Sequence, residues 1–362
     1  MNSGTGGFDS HALPPFHSSS KARPDGPRAS LDLIVRPYEP GDEAAILRAH
    51  NQVFAHVDPT QPAKSLALWR WQFARNPAGS RIVIALDDEG RVQGQYAGLR
   101  QRVHSEVGAV HFTQSVDSMH TRSTSPGLAR ASAFVRAGEE YARRFCGAEP
   151  ELDQVMFGLA IPSAWRVGSR RLGYEHLRTI SVLAAPVLAA AEEIGGNWSV
   201  ESADRCPDDV AELFSTLVPD RSLIGVRDAE TMNWRFAEHP EHRYLFGVVR
   251  ERGRLRALGV FRRGSFAGLE GGLVCDWLAP AADEDAQRAL AAWFGARTRE
   301  SGAAQWIALF PDTAPEWLAF QRRGFRLFPT EYILATRSFR APFDRDYLFW
   351  RWFYTLGDTD LV

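Results

Sequence analysis

The chain is 362 residues long, enough at roughly 100 to 200 residues per domain for two domains or one large one. An apolar fraction of 44% with 11% aromatic residues is that of a folded globular protein and excludes wholesale disorder. With 42 basic against 44 acidic residues the formal net charge is -2, so no global positive field draws the protein to nucleic acid or to anionic lipid.

Residues Met1 to Ser30 mix Gly, Ser, Pro and His without a continuous apolar run, which argues against a secretory signal and predicts a disordered tail. Leu33 to Pro37 then reads as a strand, and Glu43 to Phe54 and Lys64 to Arg75 as helices, the second stopped by Asn76-Pro77. Arg81 to Leu86 and Val92 to Val103 are strands around the turn Asp87-Asp88-Glu89-Gly90, and Val110 to Met119 is a third. A Pro-Gly loop follows, then a long helix whose apolar positions Leu128, Ala131, Val135, Tyr141, Ala142 and Phe145 recur at helical spacing. A strand over Gln154 to Leu159, a helix ending at Arg171-Leu172-Gly173 and a long strand from Tyr174 complete this part. The longest apolar stretch, Val182 to Ala191, is about half the length of a membrane-spanning helix and contains Pro186, so no bilayer span is expected.

The order then starts again. Trp198 to Ser202 is a strand, Asp209 to Leu217 and Ala229 to Ala237 are helices, and Tyr244 to Val249, Leu255 to Arg262 and Leu269 to Leu278 are strands. Ala286 to Thr298 is the long helix and Gln305 to Leu309 the next strand, followed by a helix ending at Arg322-Arg323-Gly324 and a strand from Phe325. Short identities fix the register of the repeat. Trp71-Gln72-Phe73-Ala74-Arg75-Asn76-Pro77 matches Trp234-Arg235-Phe236-Ala237-Glu238-His239-Pro240 at a shift of 163 residues, and Gly90-Arg91-Val92 matches Gly253-Arg254-Leu255 at the same shift. Each half is therefore an α/β or α+β unit with helices interleaved among strands.

This order, twice over, resembles the GCN5-related N-acetyltransferase (GNAT) family. Arg36-Pro37 with Asp42 resembles the family's opening R-P-x-x-x-x-D run, and Arg170-Arg171-Leu172-Gly173-Tyr174 and Arg322-Arg323-Gly324-Phe325 its closing K-L-G-F run. Asp117-Ser118-Met119-His120-Thr121-Arg122 resembles the segment by which a subgroup enters the coenzyme A pyrophosphate loop. The resemblance implies two consecutive GNAT-like mixed-sheet domains with flanking helices, over residues 31–190 and 197–340, and an aromatic C-terminal helix and tail over 341–362. It also implies acetyl-CoA or another acyl-CoA as co-substrate, with direct transfer of the acyl group to a primary amine.

The chemistry of the residues sits beside that inference. A pyrophosphate needs main-chain N–H groups converging at a helix N-terminus. Arg122, Ser123, Thr124, Ser125 and Gly127, just before Leu128, read equally as such an anion cradle and as a capped loop-to-helix turn. The resemblance places the thioester at the backbone of Met119 and Thr121 and the coenzyme's amide arm at Ser163. Asp117 is the first candidate for the base that deprotonates the amine, and His120 the second. In the second half, Asp283 and Glu284 stand where the phosphates would lie, so that copy is expected to bind no acyl-CoA. The aromatic run Tyr347 to Tyr354 is expected to bury itself against the repeats, with a second possibility that Asp358, Asp360 or the terminal carboxylate reaches the cleft as base, as in some tandem members of the family.

Cys146, Cys206 and Cys275 are far apart, with no zinc-type spacing and no disulfide framework, which fits a reduced, cytoplasmic compartment. His239-x-x-His242 lacks a partner carboxylate, so no metal is expected. The expected acceptor is an amine-bearing small molecule, with no nucleic-acid or membrane partner. A catalytically degenerate binding or scaffold protein is the alternative reading.

Overall fold

The computed structural model describes residues 33–57, 59, 62–121, 128–187 and 197–360, with residues 57 and 128–132 described by backbone only. The predicted tail and the loop from Arg122 to Gly127 lie outside the described residues. The first half runs β1 (Ile34–Pro37), α1 (Glu43–Val57), α2 (Leu66–Trp69), β2 (Ser80–Leu86), β3 (Val92–Ser105), β4 (Gly108–His120), α3 (Leu128–Phe145), β5 (Val155–Ala160), α4 (Pro162–Arg171) and β6 (Glu175–Pro186). The second runs β7 (Trp198–Ala203), α5 (Val210–Leu217), β8 (Leu223–Gly225), α6 (Ala229–Met232), β9 (Leu245–Glu251), β10 (Arg254–Phe266), β11 (Leu269–Leu278), α7 (Glu284–Glu300), β12 (Gln305–Ala308), α8 (Pro315–Arg322) and β13 (Arg326–Ser338). The chain closes with α9 (Arg345–Arg351), β14 (Trp352–Phe353) and a 3-10 turn over Leu356–Asp358.

All strands belong to one mixed sheet of order β1-β2-β3-β4-β5-β13-β6-β12-β11-β10-β9-β7, with β8 branching from β3 and carrying β14. The two halves exchange their last long strands. Antiparallel to β5, β13 pairs from Ile333↔Ala160 to Ser338↔Val155, while β6 pairs with β12 from Gln305↔Pro186 to Ala308↔Leu183. Each exchanged strand also pairs with the other. With β8 of the second half also paired to β3 of the first, separating the halves at this join would break four ladders. A core drawn from both halves lies beneath it, with Phe112, Phe157 and Leu177 beside Phe246, Leu258 and Trp352.

The sequence repeat has a physical basis at this join. Both α2 and α6 pass into a π-helical turn, over Arg70–Ala74 and Asn233–Ala237, where the pattern predicts a plain helix. The wider turn is matched by an indole bond from the other half. Trp71 Nε1 donates to the Trp234 carbonyl at 2.7 Å, Trp234 Nε1 donates to the Trp71 carbonyl at 2.9 Å, and the rings stack with centroids 5.4 Å apart. The identical motif thus meets itself across a pseudo-twofold axis. The opening motif is equally physical: Arg36 forks the Asp42 carboxylate at 2.7 and 2.9 Å, tying β1 to the start of α1. Of the C-terminal aromatics, Trp352, Phe353 and Tyr354 are buried against the repeats, whereas Trp350 remains 67% exposed.

Candidate active site

Parallel pairing of β4 with β5 runs from Phe112↔Val155 to Gln114↔Phe157 and stops there, although β4 continues to His120 and β5 to Ala160. The strands splay beyond that point. On its other edge β4 carries a bulge: Gln95 faces Met119 while Ala97 faces Val116, leaving Asp117 and Ser118 opposite one residue of β3. Asp117 adopts φ +47° at the bulge, a left-handed conformation that Asp tolerates better than most side chains. The kink turns its carboxylate towards α1 and α2, where Lys64 and His50 meet it, the latter by Nε2 at 3.3 Å. Lys64 Nζ also donates to Gln72 Oε1 at 2.6 Å, and Gln95 Nε2 donates to the Asp117 carbonyl at 3.0 Å. Burial by itself would raise the Asp117 carboxyl; the Lys64 ammonium and the His50 and Lys64 hydrogen bonds outweigh it and hold the group well below the usual carboxylate range.

The splay opens into a cavity of ≈ 720 Å³ at the join, walled by Gln114, Asp117 and Ser118 on one side, by Leu159, Ala160 and Ile161 on another, and by Trp234, Arg235 and Tyr332 from the second half. Asp360 enters this cavity on the arm that follows the last 3-10 turn, and Gln114 Nε2 donates to its Oδ1 at 2.6 Å. Asp360 is exposed at the cavity, unlike the buried Asp358 and Thr359 before it. Desolvation, with the negative charge of Asp117 adding to it, pushes the Asp360 carboxyl up to about 6. Its neighbour Asp358 has the opposite fate, buried and clamped by Arg227 Nη2 at 2.6 Å.

The expected residues that the structure describes fall in different places. Asp117 is in the cavity wall beside Lys64 and His50. His120 is exposed at the outer end of β4, away from the described cavity lining. The Met119 side chain is buried in the core of the first half, and Thr121 donates from Oγ1 to Gln93 Oε1 at 2.7 Å. Ser163 is exposed in the first turn of α4. Arg122, Ser123, Thr124, Ser125 and Gly127 lie outside the described residues, and Leu128 opens α3. The sequence reading missed Lys64, His50 and Gln114. A signal for the first existed: the 163-residue shift sets Lys64-Ser65 on Arg227-Asp228, a cation followed by a helix cap in both halves.

The second half repeats the bulge but closes it. Asp276 sits where Val260 faces it and Phe261 already faces Val274, and Arg227 Nε holds its Oδ2 at 2.8 Å. Pairing of β11 with β12 ends at Val274↔Ala308, and the space beyond is packed by Trp277, Phe310, Phe320 and Phe353. A buried Arg221–Glu316 pair lies beside them, with the guanidinium 3.9 Å above the Phe353 ring. At the N-terminus of α7, Asp283 accepts from Ala286 N at 3.1 Å and holds Arg256, so an acidic cap takes the position a diphosphate would need. His239 and His242 stack at 4.7 Å, and His239 Nδ1 accepts from the backbone N–H of Glu241 and of His242 at 3.2 and 3.1 Å. Burial lowers His239 to about 3, so it stays neutral. The three cysteines are free and buried, and no helix of the described residues is long and apolar enough to cross a membrane.

No protein-family model matches the chain, and no curated protein matches it in sequence. Solved structures do match it in shape. A GCN5-related N-acetyltransferase from Anabaena variabilis superposes with a TM-score of 0.61 at 10% identity, over 85% of this chain and 73% of its own. A tandem GNAT protein from the clavulanic acid biosynthesis pathway gives 0.55 at 12% identity, over 86% of this chain and 100% of its own. The N-myristoyltransferase of Saccharomyces cerevisiae with bound myristoyl-CoA gives 0.52 at 11% identity, over 88% of this chain and 85% of its own. At these identities the likeness shows the fold.

Proposed function

We propose, on the premise of a tandem GCN5-related N-acetyltransferase fold, that the chain is an acyl-CoA-dependent N-acyltransferase whose first half takes the donor and whose join takes the amine. The single observation that carries this reading is the splay of β4 from β5 opening into a cavity that holds a carboxylate raised to about 6. Open main-chain edges on both strands suit the amide-rich arm of a coenzyme A thioester, and the yeast N-myristoyltransferase of similar shape binds myristoyl-CoA. The amine nitrogen attacks the thioester carbonyl, the carbon–sulfur bond breaks, and the thiolate leaves. The amine's proton needs an acceptor.

Asp360 fits that role better than the base first expected from the sequence. A carboxylate titrating at about 6 is mostly ionised at pH 7 yet is a stronger base than an ordinary Asp. Asp117, paired with Lys64, holds its charge too firmly to accept a proton and is assigned instead to fixing that wall of the cavity. An amine of pKa near 10.4 is neutral in only about one molecule in 2,500 at pH 7, which is where such a base matters most. Acetyl is the favoured acyl group and an amine-bearing small molecule the favoured acceptor, in a reducing compartment such as the cytoplasm that suits three free thiols. The test is calorimetric titration with acetyl-CoA. At a hundredfold excess over its dissociation constant it should stabilise the fold by about 2.7 kcal/mol; absence of binding by acetyl-CoA and longer acyl-CoAs would refute the reading and leave a binding or scaffold protein.

A further inference from the structure

The arm over residues 357–360 is held in place by residues outside the proposed proton transfer. Arg235, in the π-turn after α6, donates from Nε to the Gly357 carbonyl at 3.1 Å and from Nη2 to the Thr359 carbonyl at 2.6 Å. Its guanidinium lies 5.7 Å from the Trp71 ring, at the pseudo-twofold axis. Gln101 Nε2 donates to the Asp358 carbonyl at 3.2 Å, so the main chain on both sides of Asp358 is gripped from β3 and from the π-turn. Gly357 lets the arm lie flush, since a Cβ there would come within 2.7 Å of Phe236 Cζ and 2.8 Å of the Cys275 carbonyl. At the shift of 163 the counterpart of Arg235 is Gln72, which instead receives the Lys64 ammonium. The repeat has therefore diverged at this position, with one copy fixing the cation beside Asp117 and the other fixing the arm.

We propose that Arg235 is a positioning residue that holds the 357–360 arm so that Asp360 is delivered to Gln114 and the cavity. The inference rests on the assignment of Asp360 as proton acceptor and adds the device that places it. The charged and titratable groups around Asp360 are Asp117 on β4, Lys64 ahead of α2, Arg235 itself and Tyr332 on β13, so an arm that lifts away changes all of these fields together.

The experiment uses the full chain with carbon-13 observation of the Asp360 carboxyl and steady-state rates on Arg235→Gln, Asp360→Asn and the double variant. In the wild type the carboxyl should titrate near 6; in Arg235→Gln it should fall towards the ordinary value of about 3.9. Asp360→Asn should lower kcat/KM by about a hundredfold or more, Arg235→Gln by roughly ten- to a hundredfold, and the double variant by no more than Asp360→Asn alone. Arg235→Lys, which keeps the charge over Trp71 but lacks the two-pronged head, should give an intermediate titration and serves if the Gln variant folds poorly. Because the Arg235 charge by itself lowers the Asp360 carboxyl, losing it from an arm that stayed in place would raise the midpoint; a midpoint that rises in Arg235→Gln or is unmoved in both variants, or losses that multiply in the double variant, overturns the proposal. If the wild type transfers no acyl group, the acyltransferase reading fails while the titration still decides whether Arg235 places the arm.

Discussion

Asparagine at position 117 keeps the shape of the side chain and tolerates the φ of +47°, so Asp117→Asn removes little besides one charge. What remains is the Lys64 ammonium, with its side chain only 10% exposed beside a position 13% exposed, and Gln72 as its other partner. Removing one member of a fully buried pair costs about 3 to 5 kcal/mol, and the residual solvent here places the expected loss near the bottom of that range, about 3 kcal/mol. Urea denaturation at pH 7 measures it. The pH dependence has a fixed sign. The native carboxyl lies below its unfolded value, so its contribution is present above the ordinary carboxylate pKa and is lost as pH falls through the depressed native value. The gap between wild type and variant should thus persist at pH 5 and narrow only in strong acid. A loss under about 1 kcal/mol at pH 7 would refute the claim that this pair anchors the wall. A rate profile that lost its limb near pH 6 in this variant would return the base to Asp117.

Asp360→Asn should act on stability in the other direction. Its native carboxyl binds a proton more tightly than the unfolded chain does, so wild-type stability falls as pH rises from about 4 through about 6. The variant should be more stable than wild type at pH 7.5 and indistinguishable at pH 3.5 in parallel thermal melts. Trp71→Phe and Trp234→Phe should each cost about 1 to 2 kcal/mol by leaving a carbonyl without its indole donor, with a non-additive double variant in denaturant titrations because the two bonds share one stack. Gly357→Ala should lift the arm off Phe236 and lower kcat with little change in acyl-CoA affinity by calorimetry. The pair Arg221→Met with Glu316→Leu should leave acetyl-CoA affinity unchanged and stability equal or higher, since a buried ion pair is often matched by apolar packing.

Most of the fold was legible because its elements are long and periodic. The strand and helix order of both halves follows from alternation and helical spacing, and Trp-x-Phe-Ala at one shift betrayed the repeat. The π-turns were not legible, since the distinguishing bonds come from an indole in the other half, remote in sequence. Nor was the exchange of β6 and β13, because the side-chain pattern of a buried strand is the same whichever neighbour it pairs with. The three-residue β8 and two-residue β14 are too short to carry a period. At the site, Asp117 could be found from its resemblance, but its ion pair could not, since Lys64 is 53 residues away. Asp360 was visible only as one acid among three near the chain end; what separates it from Asp358 is that Arg227 clamps Asp358 while Asp360 has no ion-pair partner among the described residues.

That separation explains how one duplicated scaffold holds two different sites. Both halves place an Asp at a bulge of the central strand and a cation ahead of the second helix: Asp117 with Lys64, Asp276 with Arg227. The arm runs between them and offers a carboxylate to each. Arg227 has enough donors to bind both Asp276 and Asp358, and the capping box of Thr355 with Asp358 completes a closed, buried network. Lys64 is a compact point charge drawn towards Asp117 and Gln72; Asp360 forms no ion pair among the described residues and stays in the field of Asp117. A Lys in one copy against an Arg in the other is therefore not a conservative difference. Lys64→Arg should draw Asp360 into a pair and return its titration towards the ordinary carboxylate range. In the same variant the acyl-transfer rate near pH 7 should fall; a carboxyl that still titrated near 6 would show that the Lys–Arg difference is not what keeps the first site open.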